Sequence, residues 1–135
     1  MFTGNGNKGF LEKTLANLIL HEYDPSTGYT REVIADANVA AGGYTIGDLV
    51  DATGVKIVAG KENETYGIVL QNFVKNQYDK QTADVLPAIL VRGAAIVNEN
   101  CLNLDGLTKA TVITTLAAKG ILVRSSYDVK PFVNA

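Results

Sequence analysis

Side chains able to do covalent or acid–base chemistry are scarce in this chain: His21 and Cys101 are its one histidine and one cysteine in 135 residues. A cysteine nucleophile needs a base to take its proton and a further group to orient that base. Folding can join His21 to Cys101, but no orienting group stands out. Cys101, set between Asn100 and Leu102, reads more simply as a small buried hydrophobe. The same two residues fall short of the four ligands of a structural zinc site. Glu62 and Glu64 are close enough to touch a weak cation, although a solvated turn is the better account of them. Asp48 and Asp51 flank a hairpin and serve its turn through their carboxylate oxygens.

Three short motifs carry less than their outlines promise. Gly4-Asn5-Gly6-Asn7-Lys8-Gly9 matches the dinucleotide pattern G-x-G-x-x-G, but only three residues precede Gly4, so no strand leads into it. Asn63-Glu64-Thr65 fits the glycosylation sequon, which has meaning only in a secreted protein. Residues 75–80, KNQYDK, place Tyr78 near two lysines as a base-stacking site would. Asp79 and Asp84 nearly cancel that charge, and a solvent loop is favoured. Arg92 differs, because it lies inside an apolar run and has to reach solvent, a carboxylate or a partner chain. Pairing within the chain and a subunit contact both fit. The residues therefore predict no catalytic group, no metal, no cofactor and no small-molecule substrate, and the chain is not expected to be an enzyme.

The scaffold that positions these groups has room for one domain, since a chain of 135 residues buries roughly two thirds of the surface its unfolded form exposes. Charged residues make up 19% and the net charge is −2, so there is no basic footprint for nucleic acid and no basic run for an anionic membrane. A lone cysteine forms no internal disulfide, which suits a reducing compartment. The opening MFTGNGNKGF holds no apolar stretch of signal-peptide length. No segment approaches the roughly 20 apolar residues that span a bilayer.

The chain is organised around residues 83–124, where an apolar run over 85–97 is interrupted by Pro87 and Gly93. A polar corner, a helix over 108–119 and a closing strand Ile121-Leu122-Val123-Arg124 follow. Thr108 suits the N-cap, Leu107 and Val112 a hydrophobic staple, and Gly120 the left-handed residue after the helix. Upstream, residues 29–34 alternate like a strand, residues 44–50 read as a strand kinked at Gly47, and Gly54 closes a hairpin. Tyr66-Gly67-Ile68-Val69-Leu70 reads as a buried strand. Asp24-Pro25-Ser26-Thr27-Gly28 is a turn, with Pro25 presetting φ and Asp24 bonding forward to backbone amides. Residues 10–20 fit a helix or an extended segment equally well. Strands at these short, turn-punctuated intervals predict a mostly β domain, a small barrel or sandwich.

Several of these segments, in this order, resemble the lambda-type head decoration proteins of tailed bacteriophages. The likeness rests on Tyr66-Gly67-Ile68-Val69-Leu70, on Ala88-Ile89-Leu90-Val91-Arg92-Gly93-Ala94-Ala95-Ile96-Val97-Asn98-Glu99, and on the helix end Ala117-Ala118-Lys119-Gly120 with its following strand; it covers about residues 30–124. Where the family's helix is alanine-rich, this one carries Thr111, Thr114 and Thr115, which lowers intrinsic helicity by a few tenths of a kcal/mol per residue.

The resemblance implies a β-barrel or β-tulip-like body over 29–135 with one short helix, and a flexible N-terminal arm over 1–28. It also implies a homotrimer on local three-fold positions of the outer capsid surface, fastening the major capsid protein against internal DNA pressure, with the chain made in the host cytoplasm. Docking about ten arm residues costs on the order of 10 to 20 kcal/mol of backbone entropy. Phe2, Phe10, Leu11, Leu15, Leu18, Leu20, Tyr23, Tyr29, Arg31 and Val33 are expected to return it at the capsid, and Arg92 is the candidate subunit contact. Deletion of residues 1–28 is expected to leave a folded domain. A tail, adaptor or fibre component of a virion would share this composition, and a small ligand-binding β-barrel is the more remote alternative.

Overall fold

The computed structural model describes residues 14–35, 38–40, 42–73 and 86–125. The ambiguous segment near the start takes both of its expected forms. Thr14 accepts the Asn17 amide on its hydroxyl at 3.2 Å and caps a single turn, α1 (Leu15–Leu18); Ile19, with φ −95° and ψ 111°, then opens strand β1 (Ile19–Glu22). Strands β2 (Arg31–Val33), β3 (Leu49–Val50), β4 (Gly67–Val69), β5 (Ala88–Leu90) and β6 (Ala95–Asn98) follow, then helix α2 (Lys109–Ala117) and strand β7 (Ile121–Arg124). Among the described residues these seven strands form two sheets, ordered β1-β6-β7 and β2-β5-β4-β3. The protein is a small, mostly β domain with one helix longer than a turn. Among the described residues β1, β7, β2 and β3 are the outer named strands, with β3 bridged further from Val50 to Lys56, and the sheets do not close into the barrel that the resemblance implies.

The apolar run that organises the chain is divided between the sheets. Its first half is β5, inside the four-stranded sheet, and its second half is β6, the centre of the three-stranded one. The crossing lies at Gly93, whose N–H donates to the Lys119 carbonyl at 2.8 Å. A Cβ on Gly93 would fall 1.9 Å from the Gly120 carbonyl oxygen, so only glycine lets the two backbones pass this closely. Beyond the crossing, β6 and β7 pair in parallel from Ala95 with Ile121 to Asn98 with Arg124, and α2 makes the return.

Helix α2 forms in spite of its threonines. Val112 and Leu116, one turn apart, are wholly buried, and the Thr115 hydroxyl satisfies itself on the Thr111 carbonyl at 2.8 Å. Each such burial contributes about 1.5–3 kcal/mol, more than the propensity deficit of the helix. Thr108 is the N-cap and Gly120 has φ +86°, as expected. Gly54, at φ +90°, also holds the turn expected of it. Gly47 does not merely kink a strand: at φ +93° it makes a turn that ends before β3, and a Cβ there would strike the Cys101 carbonyl oxygen at 2.0 Å.

Two apolar clusters fill the body. One gathers Leu18, Leu49, Ile68, Leu90, Val97, Cys101, Val112, Leu116 and Ile121 between the sheets and under α2. The other gathers Ile34, Val39, Tyr44, Val50, Val69, Phe73, Ile89 and Val91 on the far face of the four-stranded sheet. Leu18 is wholly buried and β1 pairs antiparallel with β6, where Leu18 was expected at an interface and residues 1–28 as a flexible arm. Residues 14–28 belong to the body and not to a separate arm, and deleting residues 1–28 removes a strand and a core side chain. Residues 1–13 lie outside the described residues.

Candidate functional site

The connector between β1 and β2 places the residues singled out near the N-terminus. Pro25–Thr27 form a 3-10 turn entered by Asp24 at φ 45° and left by Gly28 at φ 72°. Its hydroxyls hold it closed: Thr27 Oγ1 donates to the Asp24 carbonyl at 3.0 Å, and Ser26 Oγ to Asp24 Oδ1 at 3.0 Å. The Asp24 carboxylate thus takes a hydroxyl where backbone amides were expected. Tyr23 and Tyr29, at the two ends of this connector, meet edge to face with centroids 6.4 Å apart and an interplanar angle of 85°. They are 56% and 55% exposed, and Val33 on β2 is 59% exposed. Leu15 and Leu20 also reach solvent.

A chain of contacts fixes this face from beneath. Arg92 lies 5.2 Å from the Tyr29 ring centroid, donates through Nη1 to the Tyr29 carbonyl and through Nη2 to Glu32 Oε2 at 2.5 Å. Glu32 Oε1 accepts the Tyr66 hydroxyl at 2.9 Å, and Lys119 Nζ sits 4.9 Å from the Tyr66 ring centroid. The bond to Glu32, with burial behind it, raises the Tyr66 phenol above its usual range. Arg92 therefore meets a carboxylate of its own chain, the plainer of its two expected roles.

Arg31 is likewise committed. Its Nε and Nη2 donate to Glu22 at 2.7 and 2.6 Å, and the Thr30 hydroxyl donates to the same carboxylate. The Arg31 bonds lead in holding Glu22 below the ordinary carboxylate range, against the opposing effect of burial. This fork ties the edge strand of one sheet to the edge strand of the other.

The backbone of β2 gives this face its direction. Val91 N–H donates to the Thr30 carbonyl and Ile34 N–H to the Pro87 carbonyl, so alternate residues, Thr30, Glu32 and Ile34, bond inward to β5. Arg31 and Val33 accordingly turn their carbonyls, and Val33 its amide, toward the open edge. A groove of about 160 Å³ runs alongside, lined by Val33, Ile34, Ala35, Thr53, Gly54 and Tyr66 among others.

Of the residues expected at an interface, Leu15, Leu20, Tyr23, Tyr29 and Val33 are exposed. Leu18 is in the core and is withdrawn from the set, Arg31 is held in the fork, and Phe2, Phe10 and Leu11 lie outside the described residues. Glu22, Glu32 and Tyr66 are not among the residues expected at this face. Glu22 was open to discovery as the acid facing Arg31 across a turn recognised in advance; Glu32 lies 60 residues from Arg92, with no local signal.

The candidate chemistry disperses. His21 is exposed on β1 while Cys101 is wholly buried. No three His, Cys, Asp or Glu among the described residues gather as a metal site, and no helix there is long and apolar enough to cross a membrane. The dinucleotide-like residues 4–9 and residues 75–80 lie outside the described residues. Thr65 of the sequon is buried and its hydroxyl donates to the Glu62 carbonyl at 2.7 Å. Asp48 and Asp51 serve turns as expected.

Glu62 does not. It is buried, accepting the Gly60 amide on Oε1 at 3.0 Å and the Thr108 amide on Oε2 at 2.9 Å, while Glu64 stays exposed beside Lys61. The sequence suggested a solvated turn because the partner amide lies 46 residues away.

No family model, curated protein or solved structure matches this chain.

Proposed function

We propose that this chain is a head decoration protein of the lambda type, a homotrimer that sits on the outer face of a phage capsid and fastens neighbouring copies of the major capsid protein. The observation that carries the reading is the ordered likeness of residues 66–70, 88–99 and 117–124 to that family. These segments hold β4, β5, β6 and β7, four of the seven strands and two from each sheet, so the resemblance concerns the body of the fold and not a peripheral loop.

The physical support is a surface suited to docking. Tyr23, Tyr29, Leu20 and Val33 present rings and aliphatic groups beside an open strand edge, and both arginines of the region are neutralised by carboxylates of the same chain. Aromatic anchors of this kind lead in interface energetics. A surface held by the Arg92–Glu32–Tyr66 contacts is ordered before it binds, so the entropy cost reckoned for an arm is met during folding over residues 14–33. Three such surfaces on one trimer raise avidity by roughly 10² to 10⁴ over a single contact.

The test is sedimentation of the purified chain with undecorated capsids, followed by a map of the decorated particle. The expected result is saturable binding near one copy per capsid subunit, with density around local three-fold axes. Absence of co-sedimentation, or density for a monomer or dimer at each site, overturns the reading.

A further inference from the structure

Glu62 has a place in the fold that neither the core nor the exposed aromatic face uses. Helix α2 begins without local help: the Thr108 side chain makes no capping bond, and the first turn holds no acidic residue. In a capping box, a Glu three residues inside the helix reaches back to the N-cap amide. Here that position is Thr111, and the bond comes instead from Glu62, in the 3-10 turn Glu62–Glu64, whose other carboxylate oxygen closes on the Gly60 amide. One carboxylate thus joins a loop to a helix end through its two oxygens. Both bonds need acceptor lone pairs, and a protonated carboxyl turns one oxygen into a donor facing an N–H.

We propose that Glu62 is an acid-released latch: its carboxylate fastens the 60–64 loop to the start of α2, and protonation frees the two from each other while both sheets remain paired. Within each sheet the strands are held by apolar burial and backbone ladders, which acid leaves intact; the Glu22–Arg31 fork between the sheets also titrates, but its groups lie on β1 and β2, whereas the polar bonds of this junction converge on Glu62. The charged groups on the elements packed around it are otherwise engaged or turned outward. Lys61 pairs with Glu64 at 3.6 Å, Lys109 pairs with Glu99 at 2.8 Å, and Asp105 is exposed in the preceding turn. The Thr108 amide, ahead of the other bonds, lowers the Glu62 pKa from its ordinary 4.5, so release belongs to pH below that value.

Amide resonances of the full chain, followed from pH 7 to pH 2.5, test this. Gly60 and Thr108 are expected to shift together with one midpoint below 4.5. Over that transition the amides of Leu70 and Ile34, bonded across the four-stranded sheet, keep their positions. In Glu62→Gln both reporters lose the titration, and at pH 7 the Val112 amide exchanges roughly tenfold faster, as for a lost helix cap. Adding Thr111→Glu to that variant restores Val112 protection and leaves Gly60 as it was. Separate midpoints for Gly60 and Thr108, or loss of the Leu70 and Ile34 signals at the same midpoint, overturns the latch, and the wild-type titration decides this even if the variant fails to fold.

Discussion

Ile68 and Ile89 occupy neighbouring strands of one sheet and pack on opposite sides of it. Ile68, on β4, faces the cluster closed by the second sheet and by α2; Ile89, on β5, faces the cluster that Val39, Tyr44 and Phe73 help to close. Adjacent residues of a strand alternate faces, so β3, β4 and β5 each feed both clusters: Leu49 against Val50, Ile68 against Val69, Leu90 against Ile89. The difference lies in what closes each side. Regular elements bring apolar stripes that interdigitate, and the inner cluster holds eight of its members at 0% exposure: Leu18, Ile68, Leu90, Val97, Cys101, Val112, Leu116 and Ile121. Among the described residues the outer cluster is closed by segments outside the named strands, bridged between Tyr44 and Phe73, and such segments must be fixed by hydrogen bonds as well as by burial. Tyr44 supplies them, donating from its hydroxyl to the Gly54 carbonyl at 2.6 Å and accepting the Ala40 amide at 2.9 Å. Burial raises the Tyr44 phenol, in keeping with a hydroxyl that stays protonated as a donor.

The largest effect expected is that of deleting residues 1–28, which takes Leu18 and β1 from the inner cluster. The product is expected not to fold, losing amide dispersion and cooperative unfolding; a dispersed spectrum would mean that the inner core does not depend on them. Next come paired truncations measured by urea unfolding. Ile68→Ala is expected to cost about 3–5 kcal/mol and Ile89→Ala about 2–3 kcal/mol, because a loop collapses onto a cavity more readily than two packed sheets and a helix. Equal losses would erase the distinction.

Glu22→Gln acts at the junction of the two sheets. It removes charge-assisted bonds at a partly exposed fork and is expected to cost about 1–3 kcal/mol near neutral pH. The sign with pH follows from the direction of the shift. Glu22 and Asp51 are both held below their ordinary 4.5 and 3.8, so their stabilisation is fully present above those values and fades as pH falls through the lowered ones. Wild type and Glu22→Gln should therefore converge in acid; a gap that persists at pH 2 would refute the electrostatic account.

The smallest stability effect belongs to the exposed face. Tyr29→Ala and Val33→Lys are expected to change folding stability by less than about 0.5–1 kcal/mol. Under the proposed function, the same substitutions weaken capsid binding by at least roughly tenfold. A loss of fold without a loss of binding would reverse the assignment of that surface.

Much of this was legible in the sequence wherever the determinant was local. Turns at Gly54 and Gly120, the start of α2 after Thr108, the buried strand around Ile68 and the mostly β character follow from φ preferences and alternation within a few residues. Tertiary structure alone decided that one apolar run would serve two sheets, that Leu18 would be core while Leu20 was surface, and that Glu62 would leave solvent for the amide of Thr108. Local patterns state which residues must be covered and which can bend the chain. What covers them depends on groups tens of residues away, and those partners are chosen only when the whole body closes.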